Sequence, residues 1–87
     1  MPNSHILTLT CDDRPGIVHA VTAGLLDIEG NIVENAQFTD PDTNTFCMRT
    51  VVETRGADSP AVRAAVAARL QGIADGAAAL RVRSIAS

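Results

Sequence analysis

The chain has 87 residues, of which 46% are hydrophobic, and this supports one domain with one modest core. A chain of this size buries only about 60–65% of its unfolded surface, so association with a partner is a common source of added stability. A net charge of −3 and only two aromatic residues supply neither a basic stripe for phosphates nor rings for stacking bases, which argues against a nucleic-acid partner.

Apolar runs are short throughout the chain. None approaches the roughly 20 residues of a membrane-spanning helix, and the N-terminal sequence MPNSHILTLT lacks the charged and apolar regions of a signal peptide. We therefore expect a cytoplasmic protein without a membrane partner. Cys11 and Cys47 form no C-x-x-C motif, and in that compartment we expect two reduced thiols.

The first predicted elements are a strand and a helix. Residues 5–11 alternate between apolar and polar, as in a strand with one buried face. From Pro15 onward, apolar residues recur every three or four positions, which predicts a helix with one apolar stripe. We expect Asp12 or Asp13 to cap the start of this helix, and Gly30 to end it.

The next two predicted strands form a hairpin. Residues 31–39 make the second strand, in which one face is expected to be apolar except for Glu34. The apolar residues of that face are Ile32, Ala36 and Phe38. The D-P-D-T-N segment at 40–44 is rich in turn-forming residues, and residues 45–54 alternate again. Two strands joined by about five turn residues predict an antiparallel hairpin.

A second helix and a fourth strand complete the chain. Ser59 is expected to cap the helix, with Pro60 at its first position. The apolar stripe of this helix is Val62, Val66, Leu70 and Ile73. Residues 78–85 alternate as the last strand, with Arg81 and Arg83 on one face.

The element order is therefore β-α-β-β-α-β. Right-handed crossovers convert this order into two interleaved β-α-β units. The prediction is an α+β, ferredoxin-like fold: a four-stranded antiparallel sheet with both helices on one face. The other face is expected to be open and polar, and Cys11 and Cys47 then lie on opposite faces, which forbids a disulfide between them.

The segment TCDDRPGIVHAV, residues 10–21, places two acids, an arginine, a proline and a glycine where a strand passes to a helix. The N–H groups of a helix N-terminus can hold a carboxylate, and Asp12 or Asp13 can hold an ammonium group. Gly16 lets the backbone approach a ligand closely. Both signs of charge side by side suit a zwitterion such as a free amino acid. In the alternative interpretation, both acids only cap the helix and Arg14 is a solvated side chain.

Three other kinds of site fit the residues less well. Cys11 is a single thiol among acids without a complete ligand set, so no metal is expected. Phe46 is expected in the core, which removes it from an RNA-binding face. An acylphosphatase-like enzyme would use Arg14 and Asn35, but the adjacent aspartates repel a phosphate. We therefore expect no catalytic residues and no cofactor.

Two motifs resemble those of the ACT domain, a regulatory β-α-β-β-α-β module. They are D-R-P-G-I-V at 13–18 and G-N-I at 30–32. The resemblance covers the whole chain, residues 1–87, as a single ACT domain. It implies an amino-acid site between two domains paired side by side. The residues that match its borders are Asp13, Arg14, Pro15 and Gly16 in the first loop and Asn31 at the start of the second strand, to which Asp12 is added from the chemistry above. Asn31 can either donate to a ligand carboxylate or cap the turn after Gly30.

The hairpin sequence QFTDPDTNTFCMR, residues 37–49, is similar to that of the N-terminal ACT domain of formyltetrahydrofolate deformylases. That family hydrolyses 10-formyltetrahydrofolate to formate and tetrahydrofolate. Asn44 replaces a usual glycine, and Cys47 replaces a usual phenylalanine. The family's catalytic residues lie in a larger domain that follows, so the resemblance implies an excised N-terminal regulatory domain without deformylase activity of its own.

The expected partners follow from this resemblance. We expect a homodimer formed by side-by-side sheet pairing, with glycine or methionine as the amino acid. The second strand is the expected pairing edge, with an uncharged outward side of Val33, Asn35, Gln37 and Thr39. Two alternatives stay open: a domain that only dimerises, and a stand-alone ACT regulator of gene expression.

Overall fold

A computed structural model describes residues 3–71 and 79–85 of the chain. Its elements are β1 Asn3–Asp12, α1 Ile17–Asp27, β2 Asn31–Asp40, β3 Thr45–Thr54, α2 Ser59–Leu70 and β4 Ala79–Ser84. The predicted element order is confirmed. The roles predicted for Ile73 and Ala78 lie outside the described residues. Within those residues, no helix has the length and apolar character needed to cross a membrane.

The four strands form one antiparallel sheet in the order β2-β3-β1-β4. β1 and β3 are therefore central, and β2 and β4 are the two edge strands. One face of β1 and β3 packs with both helices into a single core. The ferredoxin-like fold is confirmed, with both helices on one face. Cys11 is buried on that face and Cys47 is half-buried on the other, and both are free thiols as predicted.

The two helices lie close together at a glycine of α1. A Cβ atom added at Gly24 would lie 2.8 Å from the Cα of Val66 and 2.9 Å from the carbonyl oxygen of Ala65. Asp27 and Arg69 add a bidentate ion pair between the helices, with two N–O distances of 2.7 Å. The hydrogen bonds from Arg69 lower the pKa of the Asp27 carboxyl.

The residues of β2 that lie on each face of the sheet differ from the prediction. A β-bulge between Ile32 and Glu34 shifts the register against β3. Because one extra residue inverts the alternation, Ile32 pairs with buried Val52 on the helix side, whereas Phe38 pairs with Cys47 on the open side. The residues that share the helix side with Ile32 are Asn35, Gln37 and Thr39. The predicted face of Ile32, Ala36 and Phe38, and the predicted outward side, were wrong.

The chain turns also differ in detail from the prediction. Asp58, not Ser59, caps α2, because its carboxylate accepts from the N–H of Ala61 at 2.9 Å. The left-handed residue after α1 is Glu29, with φ 56°, and not Gly30. Gly30 is required for packing instead, since a Cβ there would lie 2.9 Å from Cγ2 of Val52. Asn44 adopts φ 55°, a left-handed conformation that favours glycine. This explains why the similar hairpins usually have glycine at this turn position.

A buried histidine joins four elements at the end of the sheet opposite the first loop. The side chain of His5 is 1% exposed, and its Nδ1 lies 2.9 Å from the hydroxyl of Ser59. Its Nε2 lies 3.1 Å from the hydroxyl of Thr54 and 3.2 Å from the carbonyl of Ala57. The Ser59 hydroxyl in turn lies 3.0 Å from the Ser84 hydroxyl, within hydrogen-bond distance. These bonds satisfy the ring and give Ser59 a structural role in place of the predicted cap.

Candidate functional site

The loop between β1 and α1 is exposed along its whole length. Asp12, Asp13, Arg14, Pro15 and Gly16 are all exposed to solvent. The backbone N–H of Asp13 donates to the carbonyl of Asn44 at 2.9 Å, which ties this loop to the hairpin turn between β2 and β3. The predicted site therefore has access for a ligand and a fixed position on the sheet.

Gly16 starts α1 in a conformation that favours glycine. It is the N-cap residue with φ 87°, and its carbonyl accepts the first helical bond from the N–H of Ala20 at 2.9 Å. No side chain caps this helix, so the prediction that Asp12 or Asp13 does so was wrong. The absence of a side-chain cap keeps the positive end of the helix, with its unpaired N–H groups, available beside the loop.

Acidic residues outside the first loop also lie at this end of the sheet. With Asp12, they form an acidic rim that consists of Asp12, Asp40 and Asp42. Asp12 and Asp40 both pair with Thr45, from opposite sides of β3, and two strand spacings place their backbones about 10 Å apart. Asp42 follows in the turn, with its N–H bonded to a carboxylate oxygen of Asp40 at 3.0 Å. Asp40 and Asp42 were not predicted as members of this acidic rim. The hairpin register, which centres the turn on residues 41–44, is the signal that places them there.

A thiol lies directly beneath the acidic rim. Cys11 is buried on the helix side of β1 and pairs with Phe46. Burial, with the neighbouring carboxylate of Asp12, raises the pKa of the Cys11 thiol. A raised pKa keeps the sulfur protonated near neutral pH, so this cysteine is a poor nucleophile and a poor metal ligand. Among residues 3–71 and 79–85, no group of three histidine, cysteine or acidic side chains is arranged to hold a metal ion.

Asn31 lies at the opposite end of the sheet from the first loop. Asn31 pairs with Glu53 and Asp12 pairs with Thr45, and these two partners are eight residues apart on β3. At about 3.4 Å per residue, the separation is about 27 Å. A single chain therefore does not bring Asn31 to the loop. The two parts of the predicted site are separate in the monomer.

A groove surrounds Asn31 between α1 and the start of β2. It has a volume of about 440 Å³, within the range of small-molecule sites. The residues that line it are His19, Thr22, Ala23, Leu25, Leu26, Gly30, Asn31 and Ile32. His19 and Leu26 were not predicted as part of any site. Leu26 is 74% exposed, which leaves an apolar patch beside the groove.

β2 is uncovered on both faces, unlike the other long strands. Nine of its ten residues are exposed, including Val33 at 56% and Phe38 at 65%. On the helix side, the Thr50 hydroxyl donates to the Asn35 side-chain oxygen at 2.9 Å. On the open side, Glu34 lies 3.9 Å from Arg49. β2 is thus a long edge strand with apolar side chains and no helix packed over it.

Comparisons with known proteins support the resemblance. A segment of 51 residues, 58% of this chain, is 41% identical to formyltetrahydrofolate deformylase from Bacillus subtilis strain 168 and covers 17% of that protein. The solved structure of a formyltetrahydrofolate deformylase from Pseudomonas syringae pv. tomato matches 98% of this chain with a TM-score of 0.82 and 25% identity, over 28% of its own length. No family model matches the chain.

A third comparison concerns a protein of similar length. An ACT domain protein from Streptococcus pneumoniae matches 97% of this chain and 91% of its own, with a TM-score of 0.75 and 21% identity. The chain therefore has the ACT fold and resembles the corresponding part of formyltetrahydrofolate deformylases. It spans less than a third of the length of the two deformylases.

Proposed function

We propose that this chain is a regulatory module that pairs with a second copy and binds a free amino acid at a site built by both copies. The observation that carries the proposal is the placement of Asn31 and the Asp12–Gly16 loop at opposite ends of one sheet. The loop of one copy offers carboxylates for an ammonium group and the N–H groups of α1 for a carboxylate, but it lacks the amide of Asn31. A second copy supplies that amide.

Pairing through β2 joins the two ends. Two β2 strands related by a two-fold axis run antiparallel, so the start of one strand lies beside the end of the other. This arrangement brings Asn31 of a second copy toward the acidic rim and the start of α1. The amide of Asn31 can then donate to a ligand carboxylate, while Asp12 or Asp13 holds the ammonium group. The exposure of Val33, Phe38 and the rest of β2 supports this edge as the contact.

The similarity to deformylases supports a place for this module in a larger enzyme. We propose that it is the N-terminal regulatory domain of a cytoplasmic formyltetrahydrofolate deformylase and does not itself release formate. An amino acid that binds one domain arrangement better than another shifts the attached enzyme, typically by about 1–3 kcal/mol. Glycine and methionine are the ligands to test, since both are zwitterions connected with one-carbon metabolism.

A second candidate function is supported by the length of one similar protein. The pneumococcal ACT domain protein is covered over 91% of its length, so a chain of about this size exists as an ACT protein. On that basis the alternative is a stand-alone ACT regulator of gene expression. The reading frame after Ser87 distinguishes the two candidates: a continuous formyltransferase-like segment supports the enzyme, and a stop codon supports the stand-alone regulator.

The acylphosphatase-like alternative has less support. The side-chain oxygen of Asn35 accepts from Thr50 at 2.9 Å, and its amide donates to Gln37 at 3.4 Å. An asparagine with both groups engaged is not arranged to position an attacking water. Hydrolysis of an acyl phosphate that is lost in Arg14→Ala would nevertheless reverse this ranking.

Calorimetric titration of the dimeric protein tests the proposal. Glycine and methionine are the ligands, and acetate and methylamine are controls that each lack one of the two charges. Saturable heat with an amino acid but with neither control supports a zwitterion site. No heat with either amino acid refutes ligand binding and leaves a domain that only dimerises.

The pairing itself has a separate test. Gln37→Lys places a charge in the middle of the β2 edge and is expected to shift sedimentation from dimer to monomer. Gln71→Lys makes the same chemical change at an exposed position after α2 and is expected to leave the dimer intact. Unchanged sedimentation of Gln37→Lys would remove β2 as the contact.

A further inference from the structure

The sheet has two edge strands, and pairing at both would have a different result from pairing at one. A two-fold contact through β2 alone closes into a dimer. If β4 also paired with β4 of another copy, the two contacts would alternate and build an open filament. A protein that uses the β2 edge for assembly therefore needs the β4 edge to be protected.

The backbone of β4 turns alternate residues toward its free edge. The N–H of Ile85 donates inward, to the carbonyl of Ser4 at 2.9 Å. In an antiparallel ladder, residues of the same parity turn to the same side, so Arg81 and Arg83 also direct their backbone groups to β1. Leu80, Val82 and Ser84 direct theirs to the free edge.

One of these outward groups is occupied by a side chain from α2. The Nε–H of Arg63 donates to the carbonyl oxygen of Leu80 at 3.1 Å. This bond takes an acceptor that an added strand would use. The guanidinium group also places a charge where the backbone of that strand would lie.

Two further arginines lie on the same strand. Arg81 and Arg83 are exposed on the open face. Together with Arg63 they line a groove of about 550 Å³ along β4, whose other lining residues are Ile6, Thr8, Leu80 and Val82. Arg81 and Arg83 lie on the open face of the sheet, whereas the bond to the outward carbonyl of Leu80 comes from Arg63.

The β2 edge lacks this protection. Arg49, on the neighbouring strand β3, lies 3.9 Å from Glu34 of β2, which opposes its charge. Asn35 and Gln37 bond to Thr50 and to each other and not to the outer backbone of β2. The two edges thus differ in charge and in the occupation of their backbone groups.

We propose that Arg63 closes the β4 edge against strand addition and restricts self-pairing to the β2 edge. The proposal rests on the self-pairing described above and assigns Arg63 the role of a residue that determines which edge assembles. It predicts that removal of the Arg63 guanidinium creates a second contact.

Sedimentation velocity with matched arginine variants tests this assignment. In wild-type background, Arg63→Ala is expected to shift the protein from dimer to higher oligomers. Arg55→Ala removes the same charge from an exposed bend outside β4 and is expected to leave the profile unchanged. Arg63→Met keeps the aliphatic part of the side chain without the donor and provides the same comparison if Arg63→Ala fails to fold.

A double variant separates this assignment from the β2 pairing. In Gln37→Lys, which blocks β2, the additional Arg63→Ala change is expected to restore a dimer at a concentration where Gln37→Lys alone is a monomer. If wild-type protein is a monomer, the β2 pairing is refuted, while a dimer of Arg63→Ala alone still supports the role of Arg63. Identical profiles for Arg63→Ala and Arg55→Ala in both backgrounds would overturn the proposal.

Discussion

Asp12 and Asn31 lie at opposite ends of one antiparallel sheet, about 27 Å apart along β3. Both residues belong to the same predicted site, so one copy of the chain holds its two halves without joining them. A two-fold pairing of β2 strands is the simplest arrangement that brings unlike ends together. The proposed amino-acid site therefore depends on assembly.

Gly16→Ala is expected to destabilise the fold. The residue has φ 87°, and an L-residue with a Cβ in the left-handed region costs about 1–2 kcal/mol. Urea denaturation measures the free energy of unfolding. Gly56→Ala is the control, because a Cβ there meets no atom within 4 Å, and its expected change is below about 0.5 kcal/mol. Equal stability of the two variants would contradict the conformation assigned to Gly16.

Asp58→Ala and Asp13→Ala are expected to differ although both remove an exposed aspartate before a helix. Asp58 caps α2 through the N–H of Ala61, and loss of such a cap costs about 1 kcal/mol. α1 has no side-chain cap, so Asp13→Ala should change the free energy of unfolding by less than about 0.5 kcal/mol. Thermal denaturation of both variants checks this order. A larger loss for Asp13→Ala would restore the capping role that the sequence predicted.

Gly24→Ala is expected to force the two helices apart. The added methyl group would lie 2.8 Å from the Cα of Val66, a backbone atom that moves only with its helix. Overpacking of this kind typically costs about 1–3 kcal/mol. The free energy of unfolding, compared again with that of Gly56→Ala, measures the effect. A variant as stable as wild type would show that the helix contact is looser than described.

Stability is expected to fall above about pH 9 because of Cys11. Burial, followed by the charge of Asp12, raises the pKa of this thiol above its ordinary value of 9.0. The unfolded chain then releases a proton that the folded chain retains, so the contribution is complete below that pH and is lost as the pH rises toward the folded-state pKa. Urea denaturation near pH 8 and near pH 10 should show a larger decrease for wild type than for Cys11→Ala. Cys47→Ala, which removes a half-buried thiol, is the control variant. Equal decreases in wild type and Cys11→Ala would refute the assignment.

Local signals in the sequence were sufficient for most of the fold. The alternation in 5–11 and the apolar stripe of Val62, Val66 and Leu70 depend on residues near in sequence, and the structure buries them as predicted. The facing of β2 could not be predicted in this way. The bulge after Ile32 is determined by the register of β2 against β3, and no pattern within β2 itself indicates it.

The candidate site was predictable as chemistry but not as geometry. The motif at 13–16 identified an exposed charged loop, and Gly16 has the unusual conformation that its position requires. The distance from this loop to Asn31 depends on the direction and length of the strands, which are properties of the whole sheet. Asp40 entered the acidic rim for the same reason, through its pairing with Thr45.

Mixing two variants tests the shared site most directly. Asn31→Ala removes the proposed carboxylate donor, and the double change Asp12→Ala with Asp13→Ala removes both proposed ammonium acceptors from the other half of the site. Each homodimer should fail to bind the amino acid that wild type binds. An equimolar mixture, after exchange of subunits, should regain about a quarter of the wild-type sites, because half of the dimers are mixed and each of those holds one intact site. No recovery in the mixture, or full binding by Asn31→Ala alone, would contradict a site built by two copies.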